Sequence, residues 1–261
     1  MQHLAMSNHY ATLLFFSLMR PLGIFVLMPL LTSKNLSGSL IRNAVILAFM
    51  LPVLHGIEGA SFFSGPQHID GHFLLALVSE LVIGLIIGFV AAIPFWAIGS
   101  AGFLIDTMRG SSMGSIFNPT LGESTSLLSV LFSQLLTVLF FVSGGMNHLL
   151  TALYTSYVLI APGEYLSLNQ AALRFIEQQW DLLSELLLCF SIPAAAVMLL
   201  TDVGMGLLNR SAQQLNVFFL AMSIKSILAL LMLMITLGVA LHKYHLLAFS
   251  ALTAVARLWG H

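Results

Sequence analysis

Ionisable side chains inside apolar segments are the residues of this sequence best suited to chemistry. Arg20, Glu80, Asp202 and Lys225 each interrupt such a segment. A charge within a membrane-spanning helix is costly, so it marks either a transport pathway or a structural pair with a carboxylate or a helix end. A proton relay needs a row of carboxylates on one face, which the sequence lacks. A self-contained secondary transporter that uses these residues is therefore one interpretation, and structural pairing is the alternative.

Two pairs of histidines are the other candidates for catalysis or metal binding. His68 and His72 are spaced i,i+4 around an aspartate, but a Gly-Pro pair before them disfavours the helix that would align their rings. His242 and His245 flank a Lys-Tyr pair, a composition typical of a membrane interface. The sequence has no HExxH, Walker or GxGxxG motif, and no GxSxG in a strand-turn-helix context. We therefore expect no catalytic residue, cofactor or metal, and a membrane enzyme using His68 and His72 ranks last.

Residues 106–126 form the most irregular part of the chain. Glycines, hydroxyl residues and Asn118-Pro119 prevent a continuous helix. The segment nevertheless has an apolar side, formed by Met108, Met113, Ile116, Phe117 and Leu121. Irregular backbone at membrane depth occurs only where it is buried in protein or lines a cavity. Apolar side chains, flexible methionine among them, can close a pore by excluding water. The residues fit a pore-lining loop and a surface loop between helices equally well.

The composition defines the environment in which these residues act. Of 261 residues, 59% are hydrophobic and only 7% are charged. Soluble domains carry roughly a quarter charged residues, so this chain is predicted to be an integral membrane protein. A net charge of −1 leaves no basic surface for nucleic acid. The single cysteine, Cys189, excludes a disulfide framework and a multi-cysteine metal site.

Hydropathy predicts six to eight helices and no strand. The apolar runs cover residues 10–31, 44–54, 73–105, 127–142, 146–160, 186–208, 217–241 and 246–259, the last too short for a span. Run 73–105 is either one tilted span or two helices broken at Pro94, and Ser143-Gly144-Gly145 predicts a tight helical hairpin. Gly84 and Gly88 have the small-xxx-small spacing of closely packed helices. The polar segments are 55–72, 106–126 and 161–185.

Several short motifs together resemble the SctT/FliR family of type III secretion export apparatus proteins. They are Leu-Ile-Arg-Asn at 40–43, Pro-Phe-Trp-Ala at 94–97, Ala-Gly-Phe at 101–103 with Asp106 and Arg109-Gly110, Asn-Arg-Ser-Ala-Gln-Gln-Leu-Asn-Val-Phe-Phe at 209–219, and Ala-Met-Ser-Ile-Lys-Ser at 221–226. They are spread over most of the chain. The Pro-Phe-Trp-Ala and Arg-Gly elements look more like the virulence (injectisome) branch than the flagellar one.

The resemblance implies a non-enzymatic subunit of the portal through which unfolded proteins cross the bacterial inner membrane. The implied fold is an all-α integral membrane protein of bent helical hairpins, broken at prolines such as Pro21, Pro52, Pro94 and Pro193 and packed in a hetero-oligomeric helical core complex. One domain, 1–261, would have a first part (1–160) like the SctR/FliP-type subunit and a second part (161–261) like the SctS/FliQ-type subunit. Those subunits, SctU/FlhB-type and SctV/FlhA-type subunits, secreted proteins and lipid are the implied partners.

The resemblance also implies a plug loop that closes the channel. It covers Arg109, Gly110, Ser111, Ser112, Met113, Gly114, Ser115, Ile116, Phe117, Asn118, Pro119, Thr120 and Leu121. Met113, Ile116 and Phe117 would form the apolar seal, and the two glycines would let the loop move aside. An Asp106–Arg109 pair would anchor its base if the helix continues that far. Asn216 and Lys225 are assigned to packing between subunits.

Overall fold

The computed structural model describes residues 2–32, 35–36, 38–57, 71–111, 126–164, 170–211 and 217–259. Regular structure in these ranges is helical throughout, with no strand. The helices are α1 (Gln2–Leu27), α2 (Ser39–Ile57), α3 (Gly71–Met108), α4 (Leu127–Val142), α5 (Gly145–Leu159), α6 (Gln170–Ser211) and α7 (Val217–Trp259), with a short 3-10 helix at Pro29–Leu31. The predicted all-α class is confirmed.

Several helices are long and apolar enough to cross a bilayer, which needs about 20 residues. The candidate spans are Tyr10–Leu27, Gly71–Met108, Gln170–Arg210 and Phe219–Gly238. Helices α4 and α5 contain 16 and 15 residues, so neither reaches that length alone. Together they form one candidate span with a bend. The chain is therefore a multi-pass membrane protein.

The turn between α4 and α5 confirms the predicted helix break. Helix α4 ends at Val142, and Gly144 has the left-handed backbone (φ 81°) that favours glycine. The helix break that the predicted tight hairpin requires is therefore present. Each of the two helices extends only about 24 Å at 1.5 Å per residue, less than the thickness of a bilayer core.

The prediction that the chain breaks at its prolines is wrong. Pro21, Pro52, Pro94 and Pro193 all lie inside helices, in α1, α2, α3 and α6 respectively. A proline removes one backbone hydrogen bond, but membrane helices tolerate it because groups from neighbouring helices can satisfy the freed carbonyl. Apolar run 73–105 is accordingly one helix.

The polar segment 161–185 and the run 246–259 also differ from their predictions. Helix α6 begins at Gln170, and α7 continues unbroken to Trp259. The buried side chains of α6 recur at helical spacing on one face, at Phe175, Gln179, Leu186, Phe190, Ala194, Met198 and Met205. Mean hydropathy missed this amphipathic pattern, because charged residues on the opposite face lowered the average.

The chain divides into two compact units. The first contains Met1–Ile93, Gly144–Gln179 and Ala248–His261, and the second contains Pro94–Ser143 and Trp180–Leu247. The predicted halves, 1–160 and 161–261, concern likeness to other subunits and stay a prediction.

Glycines bring helix backbones into direct contact within each unit. In the first unit, a Cβ added to Gly84 would overlap the backbone of Arg20, and one on Gly88 would lie 2.8 Å from the Cα of Ile24. In the second unit, a Cβ on Gly102 would lie 2.7 Å from the Cα of Ser129. The close packing predicted from the Gly84–Gly88 spacing is confirmed, with α1 as the neighbour of α3.

Gly84→Ala should lower the free energy of unfolding of the purified chain in detergent by about 1–3 kcal/mol, the usual cost of overpacking. The clashing atoms belong to the Arg20 backbone and cannot rotate away. Gly204→Ala is the matched control, because nothing lies within 4 Å of that position. It should be neutral or stabilising by up to about 1 kcal/mol, since alanine favours helix. Equal losses in both variants would contradict the contact.

Candidate functional site

Asp106 joins the end of α3 to the beginning of α4. Its buried carboxylate accepts hydrogen bonds from the Ser126 hydroxyl (2.5 Å) and the Leu128 amide (2.9 Å) through Oδ2. Its other oxygen, Oδ1, pairs with Arg109 Nη2 at 2.7 Å. Ser126 is also the N-cap of α4, because its hydroxyl oxygen accepts from the Ser129 amide at 3.1 Å. One carboxylate thus holds both helix termini.

The backbone after Met108 ends α3 with a glycine cap. The Gly110 amide donates to Thr107 O and the Ser111 amide to Asp106 O, each at 3.1 Å, and Gly110 has φ 83°. The Ser111 hydroxyl donates to the same Asp106 carbonyl at 2.9 Å. This paired pattern fixes the direction in which the chain leaves the helix.

These contacts define the loop base, by which we mean Asp106, Arg109, Gly110, Ser111 and Ser126. The Asp106–Arg109 pair expected from the sequence is formed, since the helix continues far enough to bring the two side chains together. Residues 112–121 of the predicted plug, with its apolar seal, lie outside the described residues. The role of the loop as a plug therefore stays a prediction.

Helix α7 contacts the loop base at Gly110. A Cβ on this residue would overlap the terminal methyl group of Met222, so the Met222 side chain lies directly against the glycine backbone. A side chain at position 110 would face both the left-handed backbone and this contact. The glycine is thus required here for two separate reasons.

Arg20 and Glu80 form a buried ion pair in the first unit. Arg20 Nε lies 2.5 Å from Glu80 Oε2, Nη2 lies 3.0 Å from Oε1, and both side chains are fully buried. The guanidinium also donates to the Ser156 hydroxyl (3.0 Å) and Ile160 O (2.9 Å), and it lies 4.0 Å from the Tyr157 ring. These contacts neutralise both charges and connect α1, α3 and the end of α5.

The remaining charged candidates are paired as well. In the second unit, Lys225 forms an ion pair with Asp202. Beyond the apolar part of α7, Lys243 Nζ lies 2.7 Å from Glu185 Oε1. This hydrogen bond raises the pKa of Lys243, which stays protonated. The four ionisable candidates named first therefore occur as two self-neutralised pairs, which favours structural pairing over a secondary transporter.

Sequence reasoning missed the groups that complete these pairs. Ser156, Tyr157 and the Ile160 carbonyl lie more than 130 residues from Arg20 in the chain, and only the fold brings them together. The Tyr244 hydroxyl, which donates to Leu186 O at 3.1 Å, was likewise unexpected. No local spacing could have indicated such distant partners.

The histidines and Asn216 add no site in the described part of the chain. His72 lies in the first turn of α3, whereas His68 and Asn216 fall outside the described residues, as does the side chain of His245. Among the residues described, no group of three or more His, Cys, Asp or Glu could hold a metal ion.

Fold and site together define a multi-pass membrane protein. Its ion pairs hold helices together, and its loop base joins the end of α3 to the beginning of α4. The family model for bacterial export proteins, family 1, matches residues 11–249, and the chain belongs to this family. It is a non-enzymatic component of a type III protein export apparatus, as the sequence motifs predicted.

Curated relatives cover most of the chain. Secretion system apparatus protein SsaT of Salmonella typhimurium is 46% identical over 239 residues, 91% of each chain. Yop proteins translocation protein T of Yersinia pestis is 36% identical over 227 residues, 85% of each. Flagellar biosynthetic protein FliR of Bacillus subtilis is 28% identical over 227 residues, 83% of each. The higher identities belong to the secretion and translocation proteins, which supports the expected virulence branch.

Arg20→Met should destabilise the purified chain by about 3–5 kcal/mol, because it leaves the Glu80 carboxylate buried without its partner. Arg20→Met/Glu80→Leu should recover most of that loss, since no charge then remains. Unfolding in detergent measures both variants. Lys243→Met, which breaks an exposed pair, should cost at most about 1 kcal/mol. A double variant as unstable as the single one would show that the Ser156 and Ile160 hydrogen bonds, not the charge pair, stabilise this site.

Proposed function

We propose that this chain is a subunit of the type III secretion export gate and forms part of the protein-conducting channel across the bacterial inner membrane. Membership of the export family over residues 11–249 carries this proposal. Relatives from virulence systems are more similar than the flagellar one, so we assign the chain to the injectisome branch. The chain has no Walker motif, so the energy for export comes from elsewhere in the apparatus.

We infer that the chain works inside an assembly of hydrophobic subunits. The proposed neighbours are SctR/FliP-type and SctS/FliQ-type subunits, which 1–160 and 161–261 would respectively resemble, with SctU/FlhB-type and SctV/FlhA-type subunits around them. Exposed apolar residues on α4, α6 and α7 support this proposal, among them Val138, Leu200 and Met234. Such faces are stable only against lipid or against another apolar protein surface.

The segment 109–121 is the proposed plug of the channel, through which unfolded secreted proteins would pass. The loop base supports this role, because Asp106 keeps both ends of the segment in one place. A loop held in this way can change position without unwinding α3 or α4. Met113, Ile116 and Phe117 would exclude water from the closed pore, and Gly110 and Gly114 would let the loop swing aside.

Met113→Ser/Ile116→Ser/Phe117→Ser should make the membrane leaky to small ions by at least severalfold, because serine side chains admit water where apolar ones exclude it. The amount of assembled complex should not change, since the loop base is intact. Uptake of a small solute by cells, measured beside the amount of complex in their membranes, gives both values.

Ser112→Ala/Ser115→Ala is the matched control, because it changes the same segment and keeps all three apolar residues. It should leave permeability at the level of the unaltered chain. Normal permeability in the triple variant, with the complex fully assembled, would contradict the plug assignment.

Asp106→Ala should cost about 2–3 kcal/mol of stability, the usual value of hydrogen bonds to a charged group, and should also cause a leak. Asp106→Asn keeps an acceptor for Ser126 and Leu128 and should lose less of both properties. Unfolding in detergent and solute uptake are the measurements. A leak without any loss of stability would show that Asp106 acts on the pore itself and not as an anchor.

A further inference from the structure

Gly110 is the residue of the loop base at which the backbone can turn most easily. Its φ of 83° lies in a region that glycine enters freely and other residues rarely adopt. The residues on either side are held by Asp106, through the ion pair with Arg109 and the two hydrogen bonds from Ser111. A loop that swings relative to α3 therefore has to rotate the Gly110 backbone.

A side chain of α7 occupies the space over this glycine. A Cβ built on Gly110 would overlap the terminal methyl group of Met222 and would lie 3.5 Å from its Cγ and 3.7 Å from its Sδ. Among the described residues, these are the three nearest atoms. Most of the methionine side chain, and not one atom of it, therefore covers the glycine. The peptide groups that flank Gly110 cannot turn into that space until Met222 moves.

Helix α7 is held in place by contacts other than those with the loop. Lys225, within one turn of Met222, forms an ion pair with Asp202 of α6. Further along α7, Tyr244 donates a hydrogen bond to Leu186 O of α6 at 3.1 Å. All these residues belong to the second unit, as does the loop base. Because α7 contacts α6 at two separate points, the position of Met222 does not depend on the loop.

Methionine has the properties that a releasable contact needs. Its unbranched side chain rotates about three bonds and adapts to irregular surfaces. Met222 is half-buried, so it has space into which it can move. The burial of a few carbon-sized groups contributes only a modest free energy. Such a contact favours one position of the loop without preventing its release.

We propose that Met222 is a positioning residue that blocks rotation of Gly110 and thereby holds the plug in its closed position. Rotation of the Met222 side chain, or a shift of α7, would free the glycine and let segment 109–121 swing aside. Opening of the channel is thus linked to helices α6 and α7, outside the loop itself. This inference rests on the proposed function, because it requires segment 109–121 to be the plug.

Met222→Ala tests this role through membrane permeability. Alanine leaves the space over Gly110 empty, so the leak of small ions should rise about threefold to tenfold, the effect of losing one or two buried carbon-sized groups. Met222→Leu keeps an apolar side chain of similar volume and should restore most of the barrier. The amount of assembled complex, measured beside each permeability, should stay unchanged in both variants.

Met234→Ala is the matched control. It makes the same substitution on the same helix, at a side chain that is 82% exposed. Permeability should therefore stay at the level of the unaltered chain. An equal leak from Met234→Ala and Met222→Ala would show that any shortened methionine on α7 weakens the barrier, and it would overturn the proposal.

A deletion separates an effect on the plug from a general loosening of the helices. A chain that lacks residues 113–117 has lost the apolar seal, so it should leak whether or not Met222 is present. Adding Met222→Ala to this deletion should leave the leak unchanged, because no seal remains to be held. A further rise in the combined variant would show that Met222 acts on helix packing and not through the plug, which would reject its proposed role.

A photoreactive amino acid of similar length at position 222 tests the contact directly. In membranes that contain the assembled complex, we expect an adduct with the peptide that includes residues 109–111, identified by mass spectrometry. A secreted protein arrested in the channel should lower the yield of this adduct severalfold, because the loop has then moved aside. No adduct at these residues, or a yield that the arrested protein does not change, would contradict the proposal.

The plug and the role of Met222 can be rejected separately. A normal barrier in the chain that lacks 113–117, with the complex assembled, would reject the plug and the role of Met222 with it. A leak in that chain, together with a normal barrier in Met222→Ala, would reject only the role of Met222 and leave the proposed function standing.

Discussion

An apolar surrounding cannot solvate a charge, and this constraint governs how the described part of the chain is held together. Glu80, Asp106 and Asp202 each lie against a basic side chain from the same unit. Breaking any of these pairs removes the basic side chain that neutralises the carboxylate, which is unfavourable in an apolar surrounding. The helices that carry the pairs are therefore fixed relative to one another at these points, which is why the charges are structural and not part of a relay.

The same constraint explains the loop base. Asp106 uses both carboxylate oxygens, one on Arg109 and one on groups at the start of α4. Its own carbonyl completes the cap that ends α3. Because Asp106 contacts both ends of the connection between α3 and α4, the positions of these ends are fixed even if the residues between them move. An apolar plug needs such an origin, because a seal works only if it returns to the same position.

The sequence predicted those features that depend on local pattern. Hydropathy predicted the helices, the Gly84–Gly88 spacing predicted close packing, and the spacing of Asp106 and Arg109 allowed their pair. Local pattern failed where tertiary context decides. Pro94 stays inside a helix, and the partners of Arg20 come from α3 and α5. Neither result follows from neighbouring residues, since backbone groups freed by a proline and buried charges are satisfied by distant parts of the chain.

The charged side chains of the chain differ in how deeply they are buried and in how many partners they have. Arg20 and Glu80 are fully buried with several partners, whereas the Asp202 side chain is 46% exposed beside Lys225. Because no water reaches a fully buried pair, the chain itself supplies the remaining hydrogen-bond partners, as Ser156 and Ile160 do for Arg20. The fully buried pair of the first unit is thus completed by groups that all come from the chain itself.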